Sequence, residues 1–95
     1  MTKIEYTEHL KIRLTIRKIP EDYPKKVYEN PEQKFFDNQE GTFIAVKKLQ
    51  YNKKLRNMMI AYEKNKGLIT IITIHPITDE KIIHRILNRR WTKNG

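Results

Sequence analysis

The sequence predicts an α+β fold in which two N-terminal helices pack on a four-stranded antiparallel sheet and a further helix follows at the C-terminus. Two observations support this prediction. Apolar segments with helix-capping residues lie near both ends of the chain, and the part between them is rich in β-branched and aromatic residues separated by turn sequences. The 95-residue chain has neither repeats nor a linker-like stretch, so we expect one domain over residues 1–95.

Each predicted helix has a recognisable beginning or end. The first covers residues 7–19, because Thr7 is a good N-cap and Pro20 stops a helix. The second is a short helix over residues 21–30. The third begins at Thr78, whose hydroxyl can cap it. The apolar stripe of this third helix consists of Ile82, Ile83, Ile86, Leu87 and Trp91.

The predicted strands are joined by sequences that favour tight turns. Residues 38–41 separate the first two strands and residues 64–67 the last two, and both segments contain the Asn and Gly that a positive φ favours. Residues 52–55 are predicted to form a basic turn. The last strand is expected to be central, because isoleucines occupy both of its faces. The four strands are predicted at residues 34–37, 42–51, 56–63 and 68–75.

The charge balance of the chain points to an anionic partner. Lys and Arg number 20 against 11 Asp and Glu, which gives a formal net charge of +9. Such an excess attracts polyphosphate. The anionic partners that this charge allows are nucleic acid, anionic lipid or an acidic protein, and we expect an acidic polymer, with RNA as the first candidate.

The residue types also exclude several kinds of site. Cysteine is absent, so a disulfide, a thiolate zinc site and a cysteine nucleophile are excluded. No H-x-x-x-H pair and no Gly-rich phosphate loop occurs, so neither a metal nor a cofactor is expected. Residues 1–10 lack the apolar core of a signal peptide, and the apolar stretch at residues 68–77 is too short to cross a bilayer. We expect a cytoplasmic protein with no membrane partner.

The first predicted helix carries a polar stripe. His9, Arg13 and Arg17 recur every four residues and therefore share one face, with apolar residues on either side of it. This position favours the edge of a cleft, where partial burial strengthens the attraction to an anion. Alternatively, the two arginines extend out of the helix-sheet interface or pair with Glu5 or Glu21.

The last predicted strand brings a hydroxyl and an imidazole to one end. By simple alternation, Thr73 and His75 share a face with Ile69 and Ile71. An imidazole transfers protons near neutral pH, and an arginine stabilises the charge that develops on a phosphate. The alternative interpretation is a structural His75 that is hydrogen-bonded beside Pro76.

These two groups together supply what a metal-free ribonuclease needs. RNA carries its own nucleophile, the 2′-hydroxyl, so the protein must add only an acid, a base and cationic or hydroxyl donors. The predicted catalytic residues are His9, Arg13, Arg17, Thr73 and His75.

Two further groups of cations are candidates for phosphate contacts. They are interpreted alternatively as ordinary surface charge. Tyr51 or Trp91 is a candidate for stacking on a base, although Trp91 fits a core position better. The predicted RNA-binding residues are Lys47, Lys48, Lys53, Lys54, Arg56, Arg89 and Arg90.

The order of elements and three short motifs resemble the RelE and ParE type toxins, which belong with barnase and the colicin nucleases. The resemblance covers nearly the whole chain. The motifs are His9-x-x-x-Arg13-x-x-x-Arg17, Asn30-Pro31-Glu32 and Ile71-Ile72-Thr73-Ile74-His75-Pro76, which are similar to those of an uncharacterised toxin-like group.

The resemblance implies a RelE-like fold and a metal-independent endoribonuclease that acts as the toxin of a toxin-antitoxin pair. It implies that His9, Arg13, Arg17 and Thr73 face one active cleft, and that a cognate antitoxin is a partner. ParE-type relatives act on a protein target instead, and fold alone does not decide activity. A non-catalytic nucleic-acid-binding module is the other alternative.

Overall fold

A six-stranded mixed sheet with three helices forms the structure, a computed structural model that describes residues 2–94. The fold is α+β, but the predicted four-stranded antiparallel sheet is wrong, because a strand precedes the first helix and another follows the last. In chain order the elements are β1 (Lys3–Tyr6), α1 (Glu8–Arg17), α2 (Tyr23–Glu29), β2 (Gln33–Asp37), β3 (Thr42–Tyr51), β4 (Lys54–Asn65), β5 (Leu68–Pro76), α3 (Asp79–Leu87) and β6 (Trp91–Lys93).

The two strands that the sequence prediction omits form the two edges of the sheet. The strand order is β1-β5-β4-β3-β2-β6. Strand β1 pairs in parallel with β5, with Lys3 opposite Leu68 and Tyr6 opposite Ile71. All other pairs are antiparallel. The parallel partner of β1 lies far along the chain, so no local turn signal reveals it.

At the other edge, the predicted third helix is too long. Helix α3 ends at Leu87, and Arg89 has a φ of +64°, which turns the chain out of the helix. Trp91 then begins β6 and pairs with Asp37 of β2. Its ring is 2% exposed and lies 5.2 Å from the ring of Phe35. Trp91 is therefore a core residue, as the sequence favours, but it belongs to the sheet.

The sheet separates two apolar cores. On the side we call the front face, α1 and α2 cover the sheet, and the core contains Leu10, Leu14, Ile19, Val27, Ala45, Met58, Ile60, Tyr62, Ile69, Ile71 and Ile74. On the back face, α3 covers a smaller core of Phe35, Ile44, Val46, Met59, Ile77, Ile82 and Trp91. Alternate residues of β4 enter both cores, so this central strand is buried on both faces.

The turns set the ends of the long strands. Asn52 and Lys53 have φ values of +51° and +65°, and Lys66 and Gly67 have values of +47° and +82°. Positive φ at both central residues matches the right-handed twist of the flanking strands. These two-residue turns let β4 extend beyond the predicted 56–63. The turn at residues 38–41 is formed as predicted, with Gly41 at a φ of +72°.

A buried carboxylate joins the β2–β3 turn to β6. One oxygen of Asp37 accepts the backbone N–H groups of Gln39 and Glu40 at 2.9 and 3.0 Å. The other accepts Nε of Arg90 and Nε1 of Trp91, each at 3.3 Å. Burial alone would raise the pKa of Asp37, but these donors outweigh it and hold the pKa below its ordinary value of 3.8.

Candidate nucleic-acid interface

Cations from three segments meet at one end of the sheet. The segments are the last turns of α1 together with Lys18 just after it, the β3–β4 turn and the start of β4. We call this cluster the basic end and define it as Arg13, Arg17, Lys18, Lys53, Lys54 and Arg56.

Tyr51 links these segments. Its hydroxyl donates to the backbone oxygen of Arg17 at 3.0 Å, which anchors the end of α1 on the sheet. Its own backbone oxygen accepts Nε of Arg56 at 2.9 Å. Tyr51 also pairs with Lys54 across the turn. The two arginines of the stripe on the first helix and part of the predicted lysine-arginine block therefore belong to one surface.

The positive charge of the basic end is not neutralised within the protein. Three ion pairs form among residues 2–94, and none of them involves a residue of the basic end. The alternative pairing of Arg13 or Arg17 with Glu5 or Glu21 is not observed. Arg13 and Arg17 are half-buried beside the front core, while Lys18 and Lys53 are exposed. Partial burial makes an arginine a stronger anion ligand than a fully solvated cation.

Negative charge collects elsewhere. A groove of about 850 Å³ lies between β1, α1 and α2. Five carboxylates line it against two lysines, so it does not suit a phosphate polymer. The carboxylates are those of Glu5, Glu8, Glu21, Asp22 and Glu29.

A β-bulge in β5 changes which side chains share a face. Ile71 pairs with Tyr62 and Thr73 pairs with Ala61, so Ile72 is an extra residue without a partner. Tyr62 belongs to the front core and Ala61 to the back core. Thr73 therefore faces the back, whereas simple alternation predicts that it faces the same side as Ile71.

The predicted catalytic residues consequently do not form one site. His9, Arg13 and Arg17 lie on α1, which covers the front face. Thr73 and His75 lie on the back face, opposite Ala61 and Met59. The resemblance places His9, Arg13, Arg17 and Thr73 in one cleft, but Thr73 does not lie on the face that carries the other three, because the bulge inverts the alternation just before it.

The three histidines have different surroundings. His75 is half-buried, and its Nδ1 lies 3.0 Å from the backbone oxygen of Pro76, as the alternative interpretation predicts. His9 is exposed on α1, one turn before Arg13, and His84 is exposed on α3. Within residues 2–94, no three His, Cys, Asp or Glu side chains are placed to hold a metal ion together.

The predicted lysine-arginine block only partly belongs to the basic end. Lys53, Lys54 and Arg56 are in it. Lys47 and Lys48 are consecutive in β3, so their side chains point to opposite faces. Lys47 is half-buried on the front face opposite Met58, and Lys48 is exposed on the back face.

The other two predicted RNA-binding residues lie at the far end of the sheet. The backbone oxygen of Arg89 accepts the side-chain amide of Asn38, in the turn after β2. Arg90 is held by Asp37 and has a structural role. The buried Trp91 cannot stack on a base.

Sequence reasoning missed Lys18, which is not part of the stripe of His9, Arg13 and Arg17. The residue has a φ of +54° and lies just after α1, where helical angles no longer apply. The sequence feature that could have identified Lys18 is its position two residues before Pro20, where the helix has to end.

No family model, curated protein or solved structure matches the chain. The resemblance to RelE and ParE type toxins therefore remains a prediction. Among residues 2–94, every helix is too short or too polar to cross a membrane.

Proposed function

We propose that the protein binds single-stranded RNA through the basic end. The observation that carries the proposal is the convergence of cations from α1, the β3–β4 turn and β4 on one surface without an ion-pair partner among residues 2–94. Neutralising phosphates releases condensed counterions, which is the main source of affinity for a nucleic-acid strand.

The basic end is also held in place before any ligand arrives. The bond from Tyr51 to Arg17 fixes α1, and the bond from Arg56 to Tyr51 fixes the start of β4. A preformed surface loses less conformational entropy on binding than a flexible one. The partner is then cellular RNA, and the location is the cytoplasm, as the sequence predicts.

The first test is the salt dependence of RNA binding by the unmodified protein. We expect the logarithm of the association constant to fall linearly with the logarithm of salt concentration, with a slope of roughly −4 if six cations contact phosphates on a single strand. Fluorescence anisotropy with an end-labelled, unstructured RNA measures it. Absence of binding at low salt, or binding that is insensitive to salt, would contradict the proposal.

RNA cleavage is a second candidate function, and one observation favours it. His9 lies on α1 one turn before Arg13 and is exposed, so an imidazole stands beside the basic end. In this reaction, His9 removes the proton of the 2′-hydroxyl, the oxygen attacks the phosphorus, and the 5′-oxygen leaves with a proton from water. The products are a 2′,3′-cyclic phosphate and a 5′-hydroxyl. The toxin role and the antitoxin partner would follow from the resemblance.

Cleavage is tested by incubating end-labelled RNA with the protein in EDTA and resolving the products on a sequencing gel. We expect His9→Ala to lower the cleavage rate by about 10²-fold or more, because general base catalysis typically contributes that much. His84→Ala is the control, since this exposed histidine lies on α3 at the other face. Equal cleavage by parent and His9→Ala would reject this site. RNA that is neither bound nor cut would favour a protein target.

A further inference from the structure

Helix α3 leaves an apolar patch uncovered. Ile82 is buried in the back core. Three other aliphatic residues, Ile83, Ile86 and Leu87, are 54%, 43% and 75% exposed, and we call them the α3 patch. Because they are spaced i, i+3 and i+4, they share one side of the helix. Single exposed apolar side chains are ordinary on a protein surface, but a contiguous aliphatic patch marks an interaction surface.

Opposite charges stand at the two ends of the α3 patch. Glu80 lies in the first turn of α3, three residues before Ile83, and is exposed. Arg89 lies just beyond the helix and is also exposed, and its backbone N–H donates to the backbone oxygen of Ile86 at 3.1 Å. Three ion pairs form among residues 2–94, and neither Glu80 nor Arg89 belongs to any of them. The surface therefore runs from acidic through apolar to basic along the helix.

The other charges of α3 agree with this order. Asp79 precedes Glu80 and adds negative charge to the first turn. By helical geometry, Lys81 and Arg85 each lie roughly 160° around the helix from Ile83. These two cations are therefore on the far side of the helix from the α3 patch.

A groove beside the α3 patch supplies further positive charge. It has a volume of about 300 Å³ and lies between α3 and β2, where Ile86 forms part of its lining. Lys34 and Lys93 line it against the single carboxylate of Glu32. The last turns of α3 are therefore next to a cationic surface.

We infer that α3 forms the contact of a homodimer, in which the helices of two copies pack antiparallel. A surface that is acidic at one end, apolar in the middle and basic at the other is complementary to itself after a half-turn, as an isologous contact requires. An antiparallel contact that places Ile83 opposite Ile86 of the second copy also places Glu80 opposite Arg89 of that copy, because both pairs are centred on the same point of the helix. Aliphatic side chains then meet in the middle, and opposite charges meet at both ends.

The contact is small, so the dimer is weak. Three aliphatic side chains per copy cover less than the roughly 800 Å² that each partner of a stable complex buries. The net charge of +9 on each copy also opposes association, although physiological salt screens it beyond about 8 Å. We expect a dissociation constant on the order of 0.1 mM. The dimer does not depend on the proposed function, because α3 contains none of the residues of the basic end.

Sedimentation equilibrium of the protein without RNA, from about 0.02 to 1 mM at physiological salt, tests the contact. We expect the average mass to rise with concentration from that of a monomer towards that of a dimer. Ile83→Gln with Leu87→Gln is expected to weaken the dimer at least about tenfold, because it removes two contacting aliphatic side chains from each copy. The matched control is Ile12→Gln with Ile16→Gln on α1, whose side chains are 57% and 73% exposed. This control should leave the dissociation constant unchanged.

Charge reversal tests the antiparallel arrangement. We expect Glu80→Arg alone and Arg89→Asp alone to weaken the dimer about threefold to tenfold, because each places like charges opposite each other at both ends of the contact. The double variant exchanges the two charges and is expected to regain the dissociation constant of the parent. Aspartate tolerates the φ of +64° at this position.

A parent that stays monomeric up to the highest concentration would overturn the inference, and the α3 patch would then belong to a different partner. Average masses above that of a dimer would exclude an isologous contact. Dimerisation that survives Ile83→Gln with Leu87→Gln, or that the α1 control weakens equally, would place the contact elsewhere. A double charge variant that associates no better than the single variants would reject the antiparallel arrangement. None of these measurements involves RNA, so a failure of the proposed function leaves them unaffected.

Discussion

Replacing Asp37 with alanine is expected to lower the free energy of unfolding by about 3 kcal/mol, the size typical of breaking a buried charged pair. The carboxylate is 3% exposed and satisfies donors from the β2–β3 turn and from β6. Without it, the indole N–H of Trp91 and the half-buried guanidinium of Arg90 lose their acceptor. Urea denaturation followed by circular dichroism measures the loss.

Asp22→Ala is the matched control for this substitution. Asp22 pairs with Lys26 at 3.2 Å, but both side chains are more than half exposed. An exposed pair of this kind contributes about 0–1 kcal/mol. A loss of similar size in both variants would show that the buried network around Asp37 has no special importance.

The pH dependence provides an independent check on the same carboxylate. Folding lowers the pKa of Asp37 below 3.8, so its contribution to stability is complete above that value and is lost as the pH falls through the folded pKa. The stability difference between parent and Asp37→Ala should therefore shrink in acid. A difference that stays constant down to the lowest accessible pH would contradict this assignment.

The double variant Lys18→Asn with Lys53→Asn is expected to weaken RNA binding roughly tenfold and to reduce the salt slope by about 1.4, the value for two phosphate contacts on a single strand. Both lysines are exposed in the basic end and have positive φ values of 54° and 65°. Asparagine tolerates this backbone conformation, so the substitution removes charge without strain.

The chain offers a closely matched control in Lys66→Asn with Arg89→Asn. These two residues are also exposed and also have a left-handed backbone conformation, with φ values of 47° and 64°. They lie, however, at the opposite end of the sheet. The 12 residues of β4 separate the two ends by roughly 36 Å, well beyond the Debye length of about 8 Å at physiological salt. We expect an affinity within about twofold of the parent. Equal losses in the two double variants would mean that net charge, and not the basic end, drives binding.

Elements with strong local signals were predictable from the sequence. The cap at Thr7, the cap at Thr78 and the turn at residues 38–41 all form as expected, because each depends on a few neighbouring residues. Strand β1 depends instead on a parallel partner far along the chain. Strand β6 was hidden because Trp91 continues the helical spacing of the apolar residues before it, although α3 ends at Leu87.

The residues of the candidate site could be predicted from the sequence only where their arrangement depends on the spacing of nearby residues along the chain. The shared stripe of Arg13 and Arg17 comes directly from helical geometry, and the turn at Lys53 from the Asn that precedes it. The position of Thr73 could not be derived, since a single extra residue at Ile72 moves it to the other face.

The short strand β1 also limits self-association. Residues 68–74 of β5 form an uncharged, isoleucine-rich run without proline, a composition typical of segments that stack into cross-β fibrils. Strand β4 covers one side of this run, and the four residues of β1 occupy the open side from Leu68 to Ile71. An unpaired edge of this kind would serve as a template for a second molecule. By occupying it, β1, with charged Lys3 and Glu5, protects the protein from aggregation.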